Sequence, residues 1–461
     1  METAIIDDRI MEELRDAVGG ENVFDTIEER GCHSFDATQE RSLPELVIRP
    51  HTTEHVARVV TIANRNSIPI YPRGSGTGLL GDAGYIRCGI VLDLKNMDKI
   101  LALNVRDLTV TVQPGVLIRD LQDVAAKQKL FYPPGPGSAG FSTIGGNVAE
   151  CSGGVTGMKY GVTRDYVLAL EAVLPDGSII NTGRKTLKSV AGYDLTRFLV
   201  GSEGTLGIYT QITLKLLPMP QKRGTIISYF RDFHDAMKTS DSIQVENRIL
   251  PRSIEFADME CIKAFGEVSE VTIPEGAKAL LLIDVDGNEK NVTNDVSKIE
   301  GICRENSALK CEIVKREDER NSLWQMMKSV LPSLFKIATT EFSEAFCVPR
   351  SKVLEVLEKV YGLSATTSIR VAAFGHIGEG HIHLNIMSDK REDEVLIRGF
   401  IGKVVKEVVS IGGTLKAGQG VDDVKTEFVE LELTDQEIGL MKDLKRMFDP
   451  KDIMNPGKIF T

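Results

Sequence analysis

Apolar and polar positions alternate with two different periods along the first half of the chain. The runs PELVIRP and IPIYPR predict strands, and the i, i+3, i+4 spacing in TTEHVARVVTIANRNS predicts a helix between them. GIVLDL, ILALNVRDLTVTVQPG and the helical segment VLIRDLQDVAAKQKL continue this alternation. The first half therefore opens with a predicted βαβ unit. Residues 133–161, in contrast, are rich in glycine and are predicted to have almost no regular structure.

Two prolines in the segment LPMP, residues 217–220, interrupt the alternation before it resumes. The runs GTIISYF, SIEF, ALLLIDVDG and CEIVKR predict strands with helices between them, and a second round contains FSEAFCVPR, SIRVAAFGH and HIHLNIM. Two rounds of β-α-β with hairpin-like neighbours predict an antiparallel sheet of ferredoxin-like repeats, with helices on one face. The last helix is predicted to begin at a T-x-x-E capping box formed by Thr434 and Glu437.

Composition and charge narrow the classes of function. Charged residues make up 26% and hydrophobic residues 42% of the chain, as in an ordinary folded globular protein. The net charge of −11 argues against a nucleic-acid partner. No run of 18 apolar residues predicts a transmembrane segment, and the acidic, amphipathic N-terminus differs from a signal or transit peptide. The seven cysteines lack C-x-x-C spacing, which is typical of reduced thiols in a cytoplasmic protein and does not support an intrinsic iron–sulfur cluster.

The stretch PRGSGTGLLG contains a literal G-x-G-x-x-G at Gly76, Gly78 and Gly81. A Rossmann dinucleotide site needs a helix directly after these glycines, whereas residues 82–85 and the strand GIVLDL follow here. The Rossmann interpretation is therefore disfavoured. A loop this dense in glycine leaves several backbone N–H groups able to converge on an anion. A plain glycine turn is the alternative.

Three further stretches share this glycine-rich character: PPGPGSAGFSTIGGNVAECSGG, KYGVTRDYVLALEAVLPDG and GYDLTRFLVGSEGTLGI. Together with the first loop, they resemble the FAD-binding domain of vanillyl-alcohol-oxidase (PCMH) type flavoproteins. The likeness is greatest to the large subunit of bacterial glycolate oxidase, to D-lactate dehydrogenases and to D-2-hydroxyglutarate dehydrogenase. It covers nearly the whole chain, because GHIGEGHIHLN and MNPGKI are similar to the C-terminal half of this family.

The resemblance implies an α+β fold in three segments. Residues 1–219 would form a two-subdomain PCMH-type FAD-binding domain. Residues 220–413 would form the cap, or substrate, domain with its antiparallel sheet, and residues 414–461 would return to the FAD domain. The FAD would be non-covalent, because the first loop lacks the histidine that tethers flavin in some relatives and no histidine lies between His55 and His234.

The resemblance also implies which residues hold the FAD. The loop at the pyrophosphate comprises Pro72, Arg73, Gly74, Ser75, Gly76, Thr77 and Gly78. The isoalloxazine and ribityl chain would be lined by Pro134, Thr143, Gly146, Asn147, Cys151, Gly153 and Gly154. Glu203, Gly204 and Ile208 would hold the adenine side, and Tyr160 and Asn455 complete the set of expected cofactor contacts.

The segment GHIGEGHIH corresponds to the family motif G-H-x-G-D-G-N-x-H, in which the two histidines bind a divalent metal. The resemblance therefore implies His376 and His383 as metal ligands, and imidazole suits zinc, iron or manganese. His381 replaces the family's asparagine. The alternative is that His381 and His383, which alternate onto one face of a strand, are ordinary strand residues.

Two other motifs depart from the family. Relatives carry A-E-H-G, with a third metal ligand and a catalytic base, where this chain has Ala417, Gly418, Gln419 and Gly420. The arginine that clamps the substrate carboxylate, three residues after a tryptophan, is Met327 here. Lys328 is a poor replacement, because adjacent helix positions point about 100° apart. Any metal is therefore predicted to be weak or differently coordinated, and His381 is the candidate for a relocated base, since imidazole titrates near neutral pH.

Two hypotheses follow from these departures. In the first, the chain is an FAD-dependent dehydrogenase that oxidises a small-molecule 2-hydroxy acid in a respecified pocket. In the second, it is a flavoprotein subunit that retains FAD within a larger electron-transfer complex and has lost hydroxy-acid chemistry. Either form needs a separate electron acceptor, and oxygen, a quinone, an electron-transfer flavoprotein and an iron–sulfur subunit all stay open. The sequence does not decide between a homo-oligomer and a hetero-oligomer.

Overall fold

A computed structural model describes residues 6–36, 41–78, 86, 88–266, 271–337, 340–367, 369–388, 394–415 and 428–459. The chain divides into two compact units. The segments Met1–Gly154, Val162–Met219 and Gly418–Thr461 form unit 1, and the segments Val155–Gly161 and Pro220–Ala417 form unit 2.

The strands are numbered in chain order. Those of unit 1 are β1 Val23–Phe24, β2 Leu46–Ile48, β3 Ile70–Arg73, β4 Ile90–Asp93, β5 Ile100–Asn104, β6 Thr109–Val112, β7 Leu130–Phe131, β8 Val167–Val173, β9 Ile179–Gly183, β10 Ile208–Lys215 and β11 Leu217–Pro218. Those of unit 2 are β12 Lys222–Phe230, β13 Ser253–Asp258, β14 Ala279–Gly287, β15 Lys310–Val314, β16 Thr340–Cys347, β17 Arg370–Gly375 and β18 His381–Ser388.

The α-helices are numbered in the same way. They are α1 Asp8–Val18, α2 Ile27–Cys32, α3 Thr53–Asn66, α4 Ile118–Lys127, α5 Ile144–Glu150, α6 Gly157–Tyr160, α7 Leu195–Leu199, α8 Phe233–Asp241, α9 Met259–Gly266, α10 Glu289–Glu305, α11 Glu317–Lys328, α12 Val330–Leu334, α13 Val353–Ala365, α14 Glu394–Ser410, α15 Val429–Glu432 and α16 Asp435–Phe448. Within the described ranges, no helix combines the length and apolarity needed to cross a membrane.

The predicted βαβ unit is present at the start of unit 1. Strands β2 and β3 both pair in parallel with β4, and α3 connects them. Helix α3 begins after Thr52, whose side chain accepts a hydrogen bond from the backbone N–H of His55 at 3.2 Å. Its apolar stripe packs into the same core as β2, β3 and β4, through Val56, Val59, Val60 and Ala63. The hydrophobic periodicity therefore predicted this region correctly.

The rest of unit 1 is built on a five-stranded antiparallel sheet with strand order β5-β6-β10-β8-β9. The glycine-rich segment 133–161 differs from its prediction, because it contains the two short helices α5 and α6. Helix α5 has two glycines among its seven residues, so its propensity for helix is low. The Thr143 side chain caps it by accepting a hydrogen bond from the N–H of Gly146 at 3.3 Å. A local cap, rather than periodicity, marks this helix.

The C-terminal helix α16 begins at the predicted capping box. Thr434 accepts a hydrogen bond from the N–H of Glu437 at 3.3 Å, and the Glu437 carboxylate accepts one from the N–H of Thr434 at 2.8 Å. The segment after this helix pairs with β3, because the N–H of Ile70 donates to Ile453 and the N–H of Asn455 donates to Ile70. The last described residues are therefore part of the core of unit 1.

Unit 2 contains one seven-stranded sheet with strand order β15-β12-β14-β13-β17-β18-β16, and all of its pairs are antiparallel. Its first four strands follow the order 4-1-3-2 of a ferredoxin-like βαββαβ repeat. The second round, β16-α13-β17-β18-α14, joins the first through the pairing of β13 with β17. The mixed helix and antiparallel-sheet architecture confirms the predicted α+β fold class.

Helices cover both faces of this sheet, so the expectation of a single covered face is wrong. On one face, a Cβ at Gly224 would lie against Val292 and Val296 of α10, which shows how closely this helix approaches β12. On the other face, Ile227 and Tyr229 pack in one apolar cluster with residues of α9, α11 and α12. Helices α11 and α12 lie between β15 and β16, in a segment for which the hydrophobic pattern predicted no element.

We expect Asp449→Ala to lower the free energy of unfolding by about 3 kcal/mol, because it breaks a buried ion pair. The Asp449 carboxylate is fully buried and accepts hydrogen bonds from Lys445 Nζ at 2.5 Å and from the N–H of Met454 at 2.7 Å. The midpoint of urea unfolding measures the change. Asp443→Ala, in the helix that Asp449 follows, is the control, because the Asp443–Arg446 pair is exposed and should contribute less than about 1 kcal/mol. Equal shifts for the two variants would contradict the expectation.

Candidate functional site

A large cavity in unit 1 lies beside the glycine loop that follows β3. It encloses about 1130 Å³ and is open to solvent. Residues of β3 and its loop, of the start and end of α5, of the turn at Glu203 and Gly204, and Asn455 line its wall. A second cavity of about 390 Å³ shares Pro72, Gly74 and Gly204 with the first and extends to Ile208.

Close backbone approach shapes this cavity. Gly76 has a φ of +66°, and a Cβ there would collide with the guanidinium of Arg73. A Cβ at Gly74 would collide with Thr143 Oγ1. Gly204, with a φ of +70°, lies against the Pro72 ring. Gly74 is therefore required by space and Gly76 by its conformation, and a plain turn does not account for them.

Polar atoms point to a ligand in this cavity. Asn147 is 5% exposed, and its Nδ2 donates to the Thr143 carbonyl at 2.8 Å. Its Oδ1 is buried and, among the described residues, has no hydrogen-bond partner. An orphaned buried acceptor is costly unless a bound group donates to it. Thr77 Oγ1 and Ser142 Oγ, which lie 3.0 Å apart, belong to residues of the same wall.

The C-terminal segment completes the cavity wall. Asn455 has a φ of +46°, and its Nδ2 donates to the Glu203 carbonyl at 2.7 Å. Glu203 itself has a φ of +52°, and its N–H donates to the Ala149 carbonyl at 2.9 Å. Two residues in the left-handed region, distant in sequence, are thus held together at the cavity.

Of the predicted cofactor residues, most come together at this cavity. Those that line it are Pro72, Arg73, Gly74, Ser75, Gly76, Thr77, Gly78, Thr143, Gly146, Asn147, Glu203, Gly204 and Asn455. Ile208 lines the adjoining cavity. Gly81 lies outside the described residues.

Five predicted cofactor residues line neither cavity. Pro134 has its carbonyl bonded to Gln122, and Cys151, with a φ of +52°, ends α5. Gly153 lies next to Val162, and Gly154 lies against the backbone of residue 135. Tyr160 belongs to unit 2, where its hydroxyl donates to Asp286 at 3.0 Å. Among the lining residues that were not predicted are Asp36, Tyr71, Ser138, Ser142, Glu150 and Ser152. For Ser138 and Ser142, the small residues of PGPGSAGFST were the available signal.

In unit 2, a polar group of side chains lies on one face of the seven-stranded sheet. Ala257 of β13 pairs with Phe374 of β17, and Phe374 pairs with His383 of β18. Paired residues project to the same face of a sheet, as do residues two positions apart on one strand. Glu255, His381 and His383 therefore share a face.

His376 joins this group from the turn between β17 and β18. Gly375 and Gly380, which flank the turn, have positive φ, and a Cβ at either one would collide with a backbone carbonyl. The tight turn places one ligand atom from each of His376, His381 and His383 within 4.8 Å of the others. This is the one group of three or more candidate metal ligands found among the described residues. The interpretation of two ordinary strand histidines does not explain this convergence.

Glu255 orients His376. Its Oε2 lies 2.7 Å from His376 Nδ1, and its Oε1 is buried without a partner among the described residues. Burial raises the pKa of Glu255 above its usual value. Burial lowers the pKa of His376, but the charge and hydrogen bond of Glu255 and the charge of Glu379 together outweigh this effect and leave the pKa raised. Glu255 was not predicted from the sequence, although a single acidic residue inside the apolar run SIEF was a signal.

Glu379, in the turn itself, is mostly buried. Burial raises its pKa to about 7, although the neighbouring His376 opposes the shift. Its carboxylate lies over Gly157, where a Cβ would collide with it. A carboxyl group in this state holds a proton in the neutral pH range.

A cluster of ionic residues lies at the end of the same sheet face. Asp284 and Asp286 follow a residue of β14 that pairs with Glu255, and both side chains are fully buried. Arg223 bonds to Asp284, with its Nε at 2.5 Å. Lys159 Nζ at 2.5 Å and Arg252 at 3.1 Å bond to Asp286. Three cations thus surround two carboxylates.

One of these cations, Arg252, has a lowered pKa. Burial lowers the pKa of Arg252, and the nearby Arg223 lowers it further, as expected where like charges are crowded. Arg320 adds a fourth cation, donating through Nε to Thr225 at 2.9 Å. The Arg223 guanidinium also lies 5.5 Å from the Trp324 ring centroid. This end of the sheet is therefore suited to an anionic group.

The departures from the family motifs are visible where the structure describes them. Met327 is 7% exposed within the apolar cluster of α9, α11 and α12, and it carries no charge toward any ligand. Lys328 is exposed, which agrees with the helix geometry that excluded it as a replacement. Residues 416–427, including Gly418 and Gln419, lie outside the described residues.

Two models of protein families match the chain. The FAD binding domain matches residues 44–183, and the C-terminal domain of FAD linked oxidases matches residues 219–459. The second of these models alone covers more than half of the chain.

Named relatives match over almost their whole length. The glycolate oxidase subunit GlcD of Bacillus subtilis is 39% identical over 455 residues, which cover 98% of this chain and 97% of the relative. The D-lactate dehydrogenase of Anaerostipes hadrus is 34% identical over 448 residues, 95% of this chain and 94% of the relative.

Solved structures at lower identity share the fold. p-Cresol methylhydroxylase with substrate bound has a TM-score of 0.81 at 17% identity, over 98% of this chain and 96% of that chain. Alkyldihydroxyacetonephosphate synthase has a TM-score of 0.78 at 22% identity, over 99% and 87%. The cavity of unit 1 fits an FAD, because its glycines leave the backbone accessible and Asn147 offers an unused acceptor.

We expect acid or heat denaturation to release all of the FAD from the purified protein. In the relatives that tether flavin, the link is made to a histidine, and no histidine lines the described wall of the cavity. The measurement is the flavin absorbance of the supernatant against that of the precipitate. Yellow colour that stays with the precipitated protein would contradict a non-covalent cofactor.

We expect Gly76→Val to abolish FAD retention. The side chain would collide with Arg73, and a β-branched residue at a φ of +66° is strained. The ratio of flavin absorbance to protein absorbance measures retention. Gly140→Val is the matched control, because Gly140 lies in the glycine-rich segment and a Cβ there meets nothing within 4 Å. Wild-type occupancy in Gly76→Val would exclude the loop as the cofactor cradle.

Proposed function

Because the chain belongs to the family of FAD-linked oxidases and is an FAD-dependent oxidoreductase, we propose that it oxidises a 2-hydroxy acid and delivers the electrons to a separate acceptor. Bound FAD supplies the hydride acceptor for this reaction. The substrate class is proposed from the names of the relatives together with the polar groups of unit 2. The described residues contain no cysteine cluster that could hold an iron–sulfur centre, so the electrons leave through another molecule.

We assign the cofactor role to unit 1. The backbone N–H groups of residues 73–78 would bind the pyrophosphate, and the Asn147 Oδ1 would accept a hydrogen bond from the flavin. Glu203, Gly204 and Ile208 would lie along the adenine side. This assignment follows the predicted domains 1–219 and 414–461 and rests on the cavity that both segments line.

The observation that carries the substrate proposal is the polar face of the unit 2 sheet. A 2-hydroxy acid presents a carboxylate and a neighbouring hydroxyl. Four cations, Arg223, Arg252, Lys159 and Arg320, outnumber the three carboxylates of this face, Asp284, Asp286 and Glu255, so the face would retain positive charge for a substrate carboxylate. These cations offer the positive charge that is missing at Met327, which stands at the position of the family's clamping arginine.

The hydroxyl would be handled by the histidines. His376 and His383 fit a divalent metal, because both offer imidazole nitrogens within 4.8 Å of each other. A divalent metal bound there supplies a Lewis acid that lowers the pKa of the substrate hydroxyl. Asn385, two residues beyond His383 on the same face, is fully buried, and its Oδ1 has no partner among the described residues. It is suited to accept a hydrogen bond from the substrate. The role of His381 as the base stays a prediction from the sequence.

The second candidate function is a flavoprotein subunit without hydroxy-acid chemistry. It is favoured by Met327, which is buried where the family places its clamping arginine. The relative from Bacillus subtilis is itself named a subunit of glycolate oxidase. In this case the cluster of ionic residues around Asp284 and Asp286 in unit 2 would have a structural role only.

We expect one or more 2-hydroxy acids to bleach the flavin when mixed with the protein without oxygen. The panel contains glycolate, both enantiomers of lactate and of 2-hydroxyglutarate, and the matching 2-keto acids as controls that cannot donate a hydride. Loss of absorbance near the flavin maximum measures reduction. Dithionite gives the full amplitude, so a protein that is bleached by dithionite and by none of the acids is the electron-transfer subunit.

A further inference from the structure

The three imidazoles of unit 2 already have the spacing of a metal site. The ring centroids of His376 and His381 are 5.0 Å apart, those of His376 and His383 are 5.7 Å apart, and those of His381 and His383 are 4.5 Å apart. Three imidazoles on one tetrahedral zinc, with Zn–N bonds of about 2.0–2.1 Å, have centroids about 5 Å apart. Small rotations of the rings would therefore bring the three nitrogens to one ion.

The ring orientations differ among the three pairs. The His376 ring is nearly perpendicular to those of His381 and His383, at 89° and 90°, so it approaches the shared point from a different direction. The His381 and His383 rings are tilted by only 36°, so one of them must turn for both nitrogens to reach one ion. His383 is stacked on Phe374, with centroids 4.9 Å apart, so its ring plane is supported from outside the group.

Glu255 prepares one of these ligands for a metal. It holds His376 through Nδ1 at 2.7 Å, which leaves Nε2 as the ligand atom. A carboxylate bonded to the far nitrogen of a histidine fixes its orientation and raises its basicity as a ligand. The same carboxylate is 3% exposed and lies on the sheet face of His381 and His383.

We propose that His376, His381 and His383 form an all-nitrogen site for a late divalent transition metal, of which Zn²⁺ is the probe. His381 thereby supplies the third ligand that the missing glutamate of the A-E-H-G motif supplies in relatives. Only the use of the metal in catalysis rests on the proposed function, whereas the metal site itself does not. It replaces the base role predicted for His381, because a nitrogen bound to a metal cannot accept a proton.

The ligand change alters which metal is favoured. Imidazole nitrogen suits zinc, copper and nickel, whereas carboxylate oxygen suits manganese and magnesium. A site with three imidazoles therefore prefers Zn²⁺ over Mn²⁺ more strongly than a site with two imidazoles and a carboxylate. A complete set of three protein ligands also leaves the fourth position of zinc open to a substrate.

The test is metal binding by the FAD-loaded full-length protein after treatment with a chelator. Isothermal titration with Zn²⁺ should give one site in the wild type. His381→Asn should weaken Zn²⁺ by more than the roughly 10- to 100-fold that follows loss of a group hydrogen-bonded to a metal ligand. Glu255→Gln should fall within that range. His381→Asp returns a carboxylate and should shift the preference from Zn²⁺ toward Mn²⁺.

Spectroscopy counts the ligands without any measurement of activity. Electron paramagnetic resonance of the Cu²⁺-loaded protein should show three coordinated nitrogens in the wild type and two in His381→Asn. His234→Asn is the control, because His234 is exposed and bonded to Asp232 and Glu358 on the surface of unit 2. An unchanged flavin spectrum and melting temperature show that each variant is folded.

The outcomes separate this inference from the proposed function. Zn²⁺ affinity and nitrogen count that are the same in His381→Asn as in the wild type would overturn the inference and restore His381 as a candidate base. A wild type that binds no Zn²⁺ would overturn it as well. Three-nitrogen binding in a protein that no 2-hydroxy acid reduces would support the site and refute the proposed substrate class.

Discussion

The cost of burying charge is the constraint on which unit 2 depends. An ionised carboxylate removed from water destabilises the fold by several kcal/mol unless partners replace its hydration. Asp258 receives hydrogen bonds from two backbone N–H groups and from the hydroxyl of Tyr361. Asp284, Asp286 and Glu255 are each matched by a cation or a histidine. These partners hold buried polar side chains at defined positions of the sheet, and Glu255, Asp284 and Asp286 among them belong to the candidate site.

Unit 1 follows a different rule, since its cavity depends on the close approach of backbone segments. A side chain at Gly74 would collide with Thr143, Gly76 has a positive φ, and the turn at Glu203 is held by Asn455 from the C-terminal segment. Backbone groups bind phosphates with little dependence on side chains, so such a cavity tolerates sequence change elsewhere. This is consistent with a flavin fold shared with solved structures at 17–22% identity.

Two of the departures from the family motifs lie among the described residues of unit 2. Met327 has joined an apolar cluster, whereas His381 has added an imidazole to two others. Loss of a charge at one position and gain of an imidazole at another are what a pocket with a changed metal or substrate preference requires. A subunit that only transfers electrons has no need of three convergent histidines.

The sequence by itself determined the elements and the cofactor class. Hydrophobic periodicity predicted the βαβ unit and the antiparallel strands, and the capping box at Thr434 marked the last helix, because these signals are local. The order of the glycine loops indicated FAD. The sequence did not predict that helices cover both faces of the unit 2 sheet, because α11 and α12 pack on it through contacts between distant segments.

Tertiary structure decided the site. Glu255 and His376 are 121 positions apart, and only the pairing of β13 with β17 brings the carboxylate to the ring. The same pairing, together with the period of two along β18, places His381 and His383 on the face that Glu255 occupies. Strand order and register depend on packing between distant segments, which one-dimensional spacing does not encode.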